Sequence, residues 1–299
     1  FGISITDGSN NSILREVTVS GNGGHGIDID ETVRSITDST ITNNEDYGLY
    51  LRQTGDAVIT GNTIAGNDWG IRISNSAGTL TTIGSVDTSL GWGNIISGNT
   101  SYGIYASGRV LVAGNTVSDQ TSPTSYGIYS NGVDVINNVV FGNGRGIYVA
   151  NSNLVEGNRS YNNREYGIGV RSSATVHQNI SYSNETGLLI TRSSNQVSNN
   201  LFYDNDREAV RLDGTSFNSL VNNTIYQPVG DGMRLISSAN TDIRNNIIVV
   251  QDGFALRLDL TSQSDLNSNF NLLRAEGDAE IGFWQGFGRE TLIDWQNAA

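Results

Sequence analysis

The apolar residues of this chain fall in short alternating runs: Ile27 and Ile29, Leu49 and Leu51, Ile71 and Ile73, Ile147 and Val149, Leu188 and Ile190. An alternation of two puts those side chains on one face of a strand and sends the residues between them to the other. The runs recur with a Gly in front. Gly26, Gly48, Gly70, Gly103, Gly127, Gly146, Gly167 and Gly187 form a column that Ala209, Gly232 and Ala255 continue, at steps of 19 to 24 residues except for one of 33 after Gly70. A second column, Asn62, Asn115, Asn138, Asn158, Asn179, Asn200, Asn223, Asn246 and Asn269, keeps nearly the same step from Asn115 onward. Three residues before each Asn stands an aliphatic residue, from Ile59 and Val112 to Ile243 and Leu266. Two columns sharing a period of about 22 residues predict a solenoid, whose coils bury their apolar side only against one another.

A leucine-rich repeat needs a leucine consensus and a helical segment that this unit lacks, and ankyrin and tetratricopeptide periods are longer. Three short strands per coil, separated by Asn/Gly/Ser turns, predict an all-β, single-stranded parallel β-helix of about a dozen coils. The recurrent Asn is expected to bond from coil to coil and satisfy turn backbone that would otherwise be buried unpaired. The Gly before each strand is expected to supply a bend with positive φ. Two segments leave the period. The long step holds an insertion, 77–93, which predicts a loop projecting from the solenoid. From Gly277 the repeat stops, and Phe283, Trp284, Phe287 and Trp295 precede or join a short helix beginning near Thr291 to Asp294. The expected division is a β-helix over 1–276 and a C-terminal cap over 277–299.

Units such as "NNREYGIGVRSS", "GNTSYGIYASG" and "VNNTIYQPVGDGMRLISS" resemble the right-handed parallel β-helix repeat family, the pectin-lyase-like superfamily. The resemblance runs from Gly2 to about Asn271 and implies a right-handed solenoid. It is poorly specific for activity, because that superfamily spans pectate lyases, polygalacturonases, alginate epimerases, phage tailspikes and non-catalytic surface proteins.

Composition narrows the chemistry. Only 36% of the 299 residues are hydrophobic, which suits a thin elongated core, and only 16% are charged, too few for a charged disordered chain. There is no Cys, and all 17 basic residues are Arg. That excludes a lysine Schiff base, a P-loop, a disulfide framework and a Cys-ligated metal. No cofactor and no metal is expected. The net charge of -13 opposes nucleic acid and anionic membrane surfaces, and no apolar run reaches the roughly 18 residues of a membrane span. The chain opens directly into repeat sequence, so it is expected to be a segment of a longer parent, with other parts of that parent among its partners.

The outward positions carry the candidate chemistry. Two residues after each Gly lie Asp28, Tyr50, Arg72, Tyr105, Tyr129, Tyr148, Gly169, Leu189, Arg211, Arg234 and Arg257; two further on, Arg171 follows Gly169. An aromatic strip beside Arg and Asp is a plausible glycan platform, since sugar C–H faces pack on rings and hydroxyls pair with charged groups. On this reading Tyr50, Tyr105, Tyr129, Tyr148, Arg171, Arg211, Arg234 and Arg257 contact carbohydrate. Like side chains laddering over a parallel sheet are the other reading of the column. For the three stacked arginines, neutralisation by Asp213, Asp259, Glu208 and Asp231 stands beside an acidic-sugar or sulfate site.

Catalytic motifs are sparse. "GGHGID" resembles the Gly-His-Gly element of polygalacturonases and puts His25 near Asp28 and Asp30, a candidate carboxylate pair. The other polygalacturonase elements have no counterpart, one of them requiring Lys, and the Asp-Pro-His-Asp motif of alginate epimerases is absent. His177 falls in a variable outward column. Asp7, Ser9 and Asn11 have the opening spacing of a calcium loop, but position twelve of such a loop would be Thr18 and not a bidentate Glu, so an ordinary turn is expected. The expected role is a non-catalytic spacer or adhesive module, extracellular or at the cell surface, with a polysaccharide as its possible partner. The alternative is a polysaccharide lyase, hydrolase or epimerase.

Overall fold

The structure, a computed structural model, describes residues 2–6, 11–76, 78–151, 153–171 and 173–298. It is an all-β parallel solenoid of about twelve turns, with one α-helix among the described residues, Leu292–Ala298. The chain divides into two compact units, residues 1–159 and 160–299. Each turn repeats one plan. In the first unit, Tyr47–Arg52 is followed by Val58–Thr60 and Thr63–Ala65; in the second, Glu208–Asp213 is followed by Ser219–Val221 and Thr224–Gln227. The first, second and third strands of successive turns build sheets 1, 2 and 3 of each unit.

Register stacks the alternating apolar residues into columns. In sheet 1 of the first unit Ile27, Leu49, Ile71, Ile104, Ile128 and Ile147 are successive partners, and in the second unit Ile168, Leu188, Val210, Met233 and Leu256 are. All are fully buried. The short strands of sheets 2 and 3 mostly contribute one such residue each, Ile59 and Ile64 in one turn and Leu220 and Ile225 in another, while Ser160 and Ser181 take the inward position in theirs. The core is therefore a few side chains wide, which is why so modest an apolar fraction suffices.

The turns between strands are held by side-chain amides. In the first unit Asn62, Asn94, Asn115, Asn138 and Asn158 form a buried ladder in which each Nδ2 donates to the next Oδ1 wherever that bond is resolved, at 2.8–3.0 Å, and each backbone N–H donates to the same oxygen at 2.9–3.2 Å. In the second unit Asn179, Asn200, Asn223 and Asn246 do the same. The last rung there is Asn271, which accepts from Asn246, and not the expected Asn269, which is in the strand Asn267–Asn269. A further ladder, five residues later and four at Gln227, was not expected from the sequence: Asn44, Asn67, Asn99, Gln120 and Asn143 in the first unit, and Asn163, Asn184, Asn205 and Gln227 in the second.

Three other expectations change. The repeated Gly residues are not the bends. Gly48 is absent from the positive-φ positions, and a Cβ there would come within 2.8 Å of the Gly70 carbonyl oxygen and Ile64 Cγ2. Close approach of adjoining turns demands glycine, and positive φ falls instead on the residue before a ladder amide, such as Asn137 or Asn199. The insertion is not wholly a loop either. Thr81–Gly84 is a strand of sheet 2 that pairs with Val58–Thr60 and Val110–Ala113, and its Ile83 is buried. Only the stretch after it projects, through the 3₁₀ turn Thr88–Leu90 capped by Asp87. In the tail, Glu280–Trp284 adds a parallel strand to sheet 1 with Phe283 beside Arg257, and Phe287–Arg289 folds back antiparallel on it. Trp295 of the helix then packs against Trp284, ring centroids 5.5 Å apart.

Candidate functional site

Sheet 1 of the first unit carries two adjoining outward columns. Register aligns Tyr50, Arg72, Tyr105, Tyr129 and Tyr148 in one, and Tyr47, Trp69, Tyr102, Tyr126 and Arg145 in the other. The strands impose this, because their inward Ile and Leu residues fix which side chains face out. Rings on successive turns touch, except where Arg72 separates Tyr50 from Tyr105. Trp69 and Tyr102 have centroids 4.1 Å apart, Tyr102 and Tyr126 5.3 Å, Tyr105 and Tyr129 4.9 Å, and Tyr129 and Tyr148 5.1 Å.

Orientation decides what this strip can offer. Tyr105 and Tyr129 are stacked with their planes 7° apart, as are Tyr102 and Tyr126, while the two columns meet edge to face at 84° and 85°. Stacked rings cover one another's faces, so at these two turns the strip presents ring edges and phenol hydroxyls. It opens at Tyr148, tilted 35° to Tyr129. Burial, together with the neighbouring phenols, pushes the Tyr102 and Tyr129 hydroxyls above the usual tyrosine range, keeping them neutral hydrogen-bonding groups.

Two arginines sit inside this strip. The Arg72 guanidinium donates to Tyr47 Oη at 2.7 Å and lies 5.3–5.9 Å from the centroids of Tyr47, Tyr50, Trp69 and Tyr105. Arg145 donates to Tyr126 Oη and covers that ring at 4.9 Å. Beside Arg145, the hydroxyls of Ser101, Ser122 and Thr124 join Tyr102 and Tyr126 around a hollow of about 370 Å³. The sequence column placed Arg72 correctly but assigned it no role; its spacing of 22 residues from Tyr50 was the available signal.

The candidate carboxylate pair is tied down. Arg52 Nη2 is 3.0 Å from Asp28 and Arg52 Nε is 3.2 Å from Asp30, and its guanidinium lies 4.3 Å from the Tyr50 centroid. One cation thus holds both groups that an acid/base pair would need to keep apart in role. His25 lies against Tyr47 and Tyr50, with Nδ1 3.4 Å from Asp46. His177 is on sheet 2, half-buried, 3.0 Å from Ser198 Oγ. Asp7 and Ser9 of the calcium-like turn lie outside the described residues; Asn11 beside them has positive φ.

In the second unit the outward column reads Gly169, Leu189, Arg211, Arg234, Arg257 and Phe283. The arginines have acidic neighbours. Arg211 reaches Asp213 at 2.7 Å and the buried Glu208 at 3.4 Å, Arg207 reaches Glu185 at 2.7 Å, and Arg257 reaches the buried Asp231 at 3.5 Å. Burial pushes the Asp231 carboxyl above the usual range, against the opposing pull of Arg257 and the Phe254 amide. Asp259 goes the other way: partial burial would raise it, but hydrogen bonds from Ser262 and from the Ser237 amide bring it below. Arg234 and Arg257 line a hollow of about 220 Å³ with Asp259 and Phe283, and Arg171 is exposed just past its strand. Gly169 has a local reason, since a Cβ there would strike the Tyr166 ring at 2.5 Å. The sequence reading missed Phe283, which it assigned to the tail, and with it the ring pair Phe254–Phe283 that flanks Arg257.

Comparison with known proteins agrees with this fold. The family described as periplasmic copper-binding protein (NosD) matches residues 1–85 and 80–227, and the description right-handed β-helix region matches 171–286. Among solved structures, Dettilon tailspike protein (gp208) superposes with a TM-score of 0.57 at 14% identity, over 89% of this chain and 60% of the tailspike. A doubly substituted periplasmic alginate epimerase AlgG gives 0.47 at 16% identity, over 94% and 75%. The A-module of the Azotobacter vinelandii mannuronan C-5 epimerase AlgE4 gives 0.43 at 13% identity, over 92% and 90%. The chain thus spans about 60% of the tailspike's length. No curated protein sequence matches it.

Proposed function

Because the chain belongs to the NosD family of right-handed β-helix proteins, we propose that it is a rigid, non-catalytic solenoid module whose first unit holds an extended polysaccharide along sheet 1. The observation that carries this reading is the unbroken run of ring contacts from Tyr47 through Trp69, Tyr102 and Tyr126 to Tyr148, with Arg72 and Arg145 set into it. Phenol hydroxyls and guanidinium groups recurring at about 4.8 Å suit a polymer of hydroxyl-bearing rings laid along the axis. Tyr50, Tyr105, Tyr129 and Tyr148 are its proposed contacts in the first unit. On the second unit, taken by itself, Arg171 and Arg234 are the proposed contacts for uronate or sulfate, with Arg211 and Arg257 weaker ones because each already has a carboxylate partner.

The family's description names a copper-binding protein of the periplasm. Copper prefers thiolate, thioether or clustered imidazole ligands. This chain has no Cys, its single Met233 is fully buried, and of its two His residues His177 is in a strand of sheet 2 while His25 is in the turn before the strand Ile27–Ile29. Among the described residues no three His, Cys, Asp or Glu converge. These donors do not fit copper, and copper plays no part in the proposed role. An address outside the cytoplasm, at the surface or in the periplasm, is proposed with the module role. No described helix is long and apolar enough to cross a membrane.

The test is retention on immobilised neutral and acidic polysaccharides. The triple variant Tyr105→Ser, Tyr129→Ser, Tyr148→Ser keeps the inward Ile104, Ile128 and Ile147 and should lose retention on the acidic polysaccharides while its melting curve stays nearly fixed. Release of reducing or unsaturated sugar by the parent protein, abolished by His25→Ala, would establish the enzymatic alternative instead.

A further inference from the structure

A second aromatic column stands on another sheet. In sheet 3 of the second unit, register aligns Tyr182, Tyr203 and Tyr226, and Tyr161 stacks on Tyr182. The planes of Tyr161 and Tyr182 are 5° apart with centroids at 4.9 Å, and those of Tyr182 and Tyr203 are 6° apart at 4.6 Å. Two residues before each of three of these tyrosines is the other outward position of the strand, and it reads Ile180, Leu201 and Thr224, with Ile247 on the next turn. Tyr226 and Ile247 are 40% and 45% exposed.

The strands ISY, LFY, TIYQ and IIVV contain no charged residue, and the strip they form ends at charges on both sides, with Arg159 in the strand that carries Tyr161 and Arg274 on the turn after Ile247. That contrasts with sheet 1 of the same unit, where arginines and carboxylates alternate, and with a net charge of -13 for the chain. Four successive strands without charge offer an ionic ligand no partner along their length and favour a neutral occupant. Its dimensions select further. Four turns and two columns make a strip of about 15 Å by about 7 Å, far short of the roughly 800 Å² per partner that a stable protein interface buries. A strip one ring wide and several rings long matches a single polymer chain lying parallel to the axis.

We propose that this strip binds a neutral glycan chain, separately from the first-unit strip. The stacked tyrosines turn their edges and hydroxyls outward, so the row of Oη atoms meets sugar hydroxyls about once per turn. The Ile180–Ile247 column gives the C–H side of the sugar an apolar surface to lie on. The site is independent of the first-unit strip in place and in the charge of its ligand, so each can fail without the other.

The experiment titrates the full chain with neutral oligosaccharides (cello-, xylo- and manno-hexaose) and with oligouronates, by calorimetry and affinity electrophoresis. Tyr182→Ser with Tyr203→Ser should weaken neutral-glycan binding at least tenfold and leave retention on acidic polysaccharide unchanged. The Tyr105, Tyr129 and Tyr148 triple variant should leave neutral-glycan binding intact. Should the double Ser variant fold poorly, Tyr182→Phe with Tyr203→Phe keeps the ring stack, removes the hydroxyls, and should still weaken binding several-fold. Absence of binding by every neutral oligomer, or binding that neither double variant changes, overturns the proposal. So does self-association of the parent that the same variants abolish, since the strip would then be a protein contact.

Discussion

Replacing Asn138 by Ala removes one rung from the middle of the first-unit ladder. Asn138 is fully buried. Its Oδ1 accepts from the Asn115 backbone N–H at 2.9 Å and from Asn115 Nδ2 at 3.0 Å, and its own Nδ2 has Asn158 Oδ1 and the Val112 and Ile136 carbonyls each at 3.0 Å. Asn115 Nδ2 keeps the Ile83 and Ala113 carbonyls, so its loss is partial, but the Asn115 backbone N–H keeps no protein acceptor among these bonds. An orphaned buried group costs about 1–3 kcal/mol, and each net hydrogen bond lost about 1 kcal/mol more, which totals about 3–5 kcal/mol. Asn138→Asp should cost at least as much, because a carboxylate cannot donate to Asn158 and is charged in a buried site. Chemical denaturation followed by circular dichroism measures the change. A loss below about 1 kcal/mol for Asn138→Ala would refute the view that the amide ladder, and not apolar packing alone, holds the turns.

Three further outcomes follow from the same geometry. Gly48→Ala should destabilise by about 1–3 kcal/mol, the usual range for overpacking, and a neutral result in thermal unfolding would show that adjoining turns can separate by a few tenths of an ångström. Asp259, held below its ordinary range, contributes stability that is present above the unfolded value near 3.8 and is lost as pH falls through the lower folded value; Asp259→Asn should therefore flatten the acid limb of a stability-versus-pH curve. We propose that residues 277–299 close the last turn of the second unit, so deleting them should expose sheet edges and cause concentration-dependent association in analytical ultracentrifugation, and a truncated chain that stays monomeric would rule out the cap.

Strand, period and inward face were legible because each rests on a local alternation repeated many times. The ladder from Asn115 to Asn246 was legible for the same reason. Asn94 and Ile83 were not, since the insertion between Gly70 and Gly103 breaks the spacing while the strand it contains stays in register. The ladder that includes Gln120 and Gln227 hid behind a change of residue type, although the five-residue offset from Asn115 to Gln120 repeats from Asn138 to Asn143 and from Asn200 to Asn205. The glycine column was seen but misread, because sequence does not distinguish a backbone that bends from one that a neighbour crowds. At the candidate site, the columns of Tyr105, Tyr129 and Tyr148 were found from spacing alone. Ring orientation was not, and it is orientation that hides the faces of Tyr105 and Tyr129 and turns a stacking platform into a row of edges and hydroxyls. The grip of Arg52 on both Asp28 and Asp30 was likewise invisible, since the three residues meet only across neighbouring turns.

The amide ladders have a direction. From Asn62 to Asn158 the side-chain bonds resolved between rungs run from a nitrogen to the oxygen on the next turn and never the reverse, so their dipoles add within the unit. Parallel sheets by themselves carry little net dipole. Here a row of side chains supplies one, with its positive end toward later turns, and each amide polarises the next. The ladder thereby gives the first unit an axial direction from Asn62 to Asn158, even though its turns are alike. A ligand chain with polarity of its own, as any polysaccharide has from its reducing to its non-reducing end, would meet a surface on which its two directions are not equivalent.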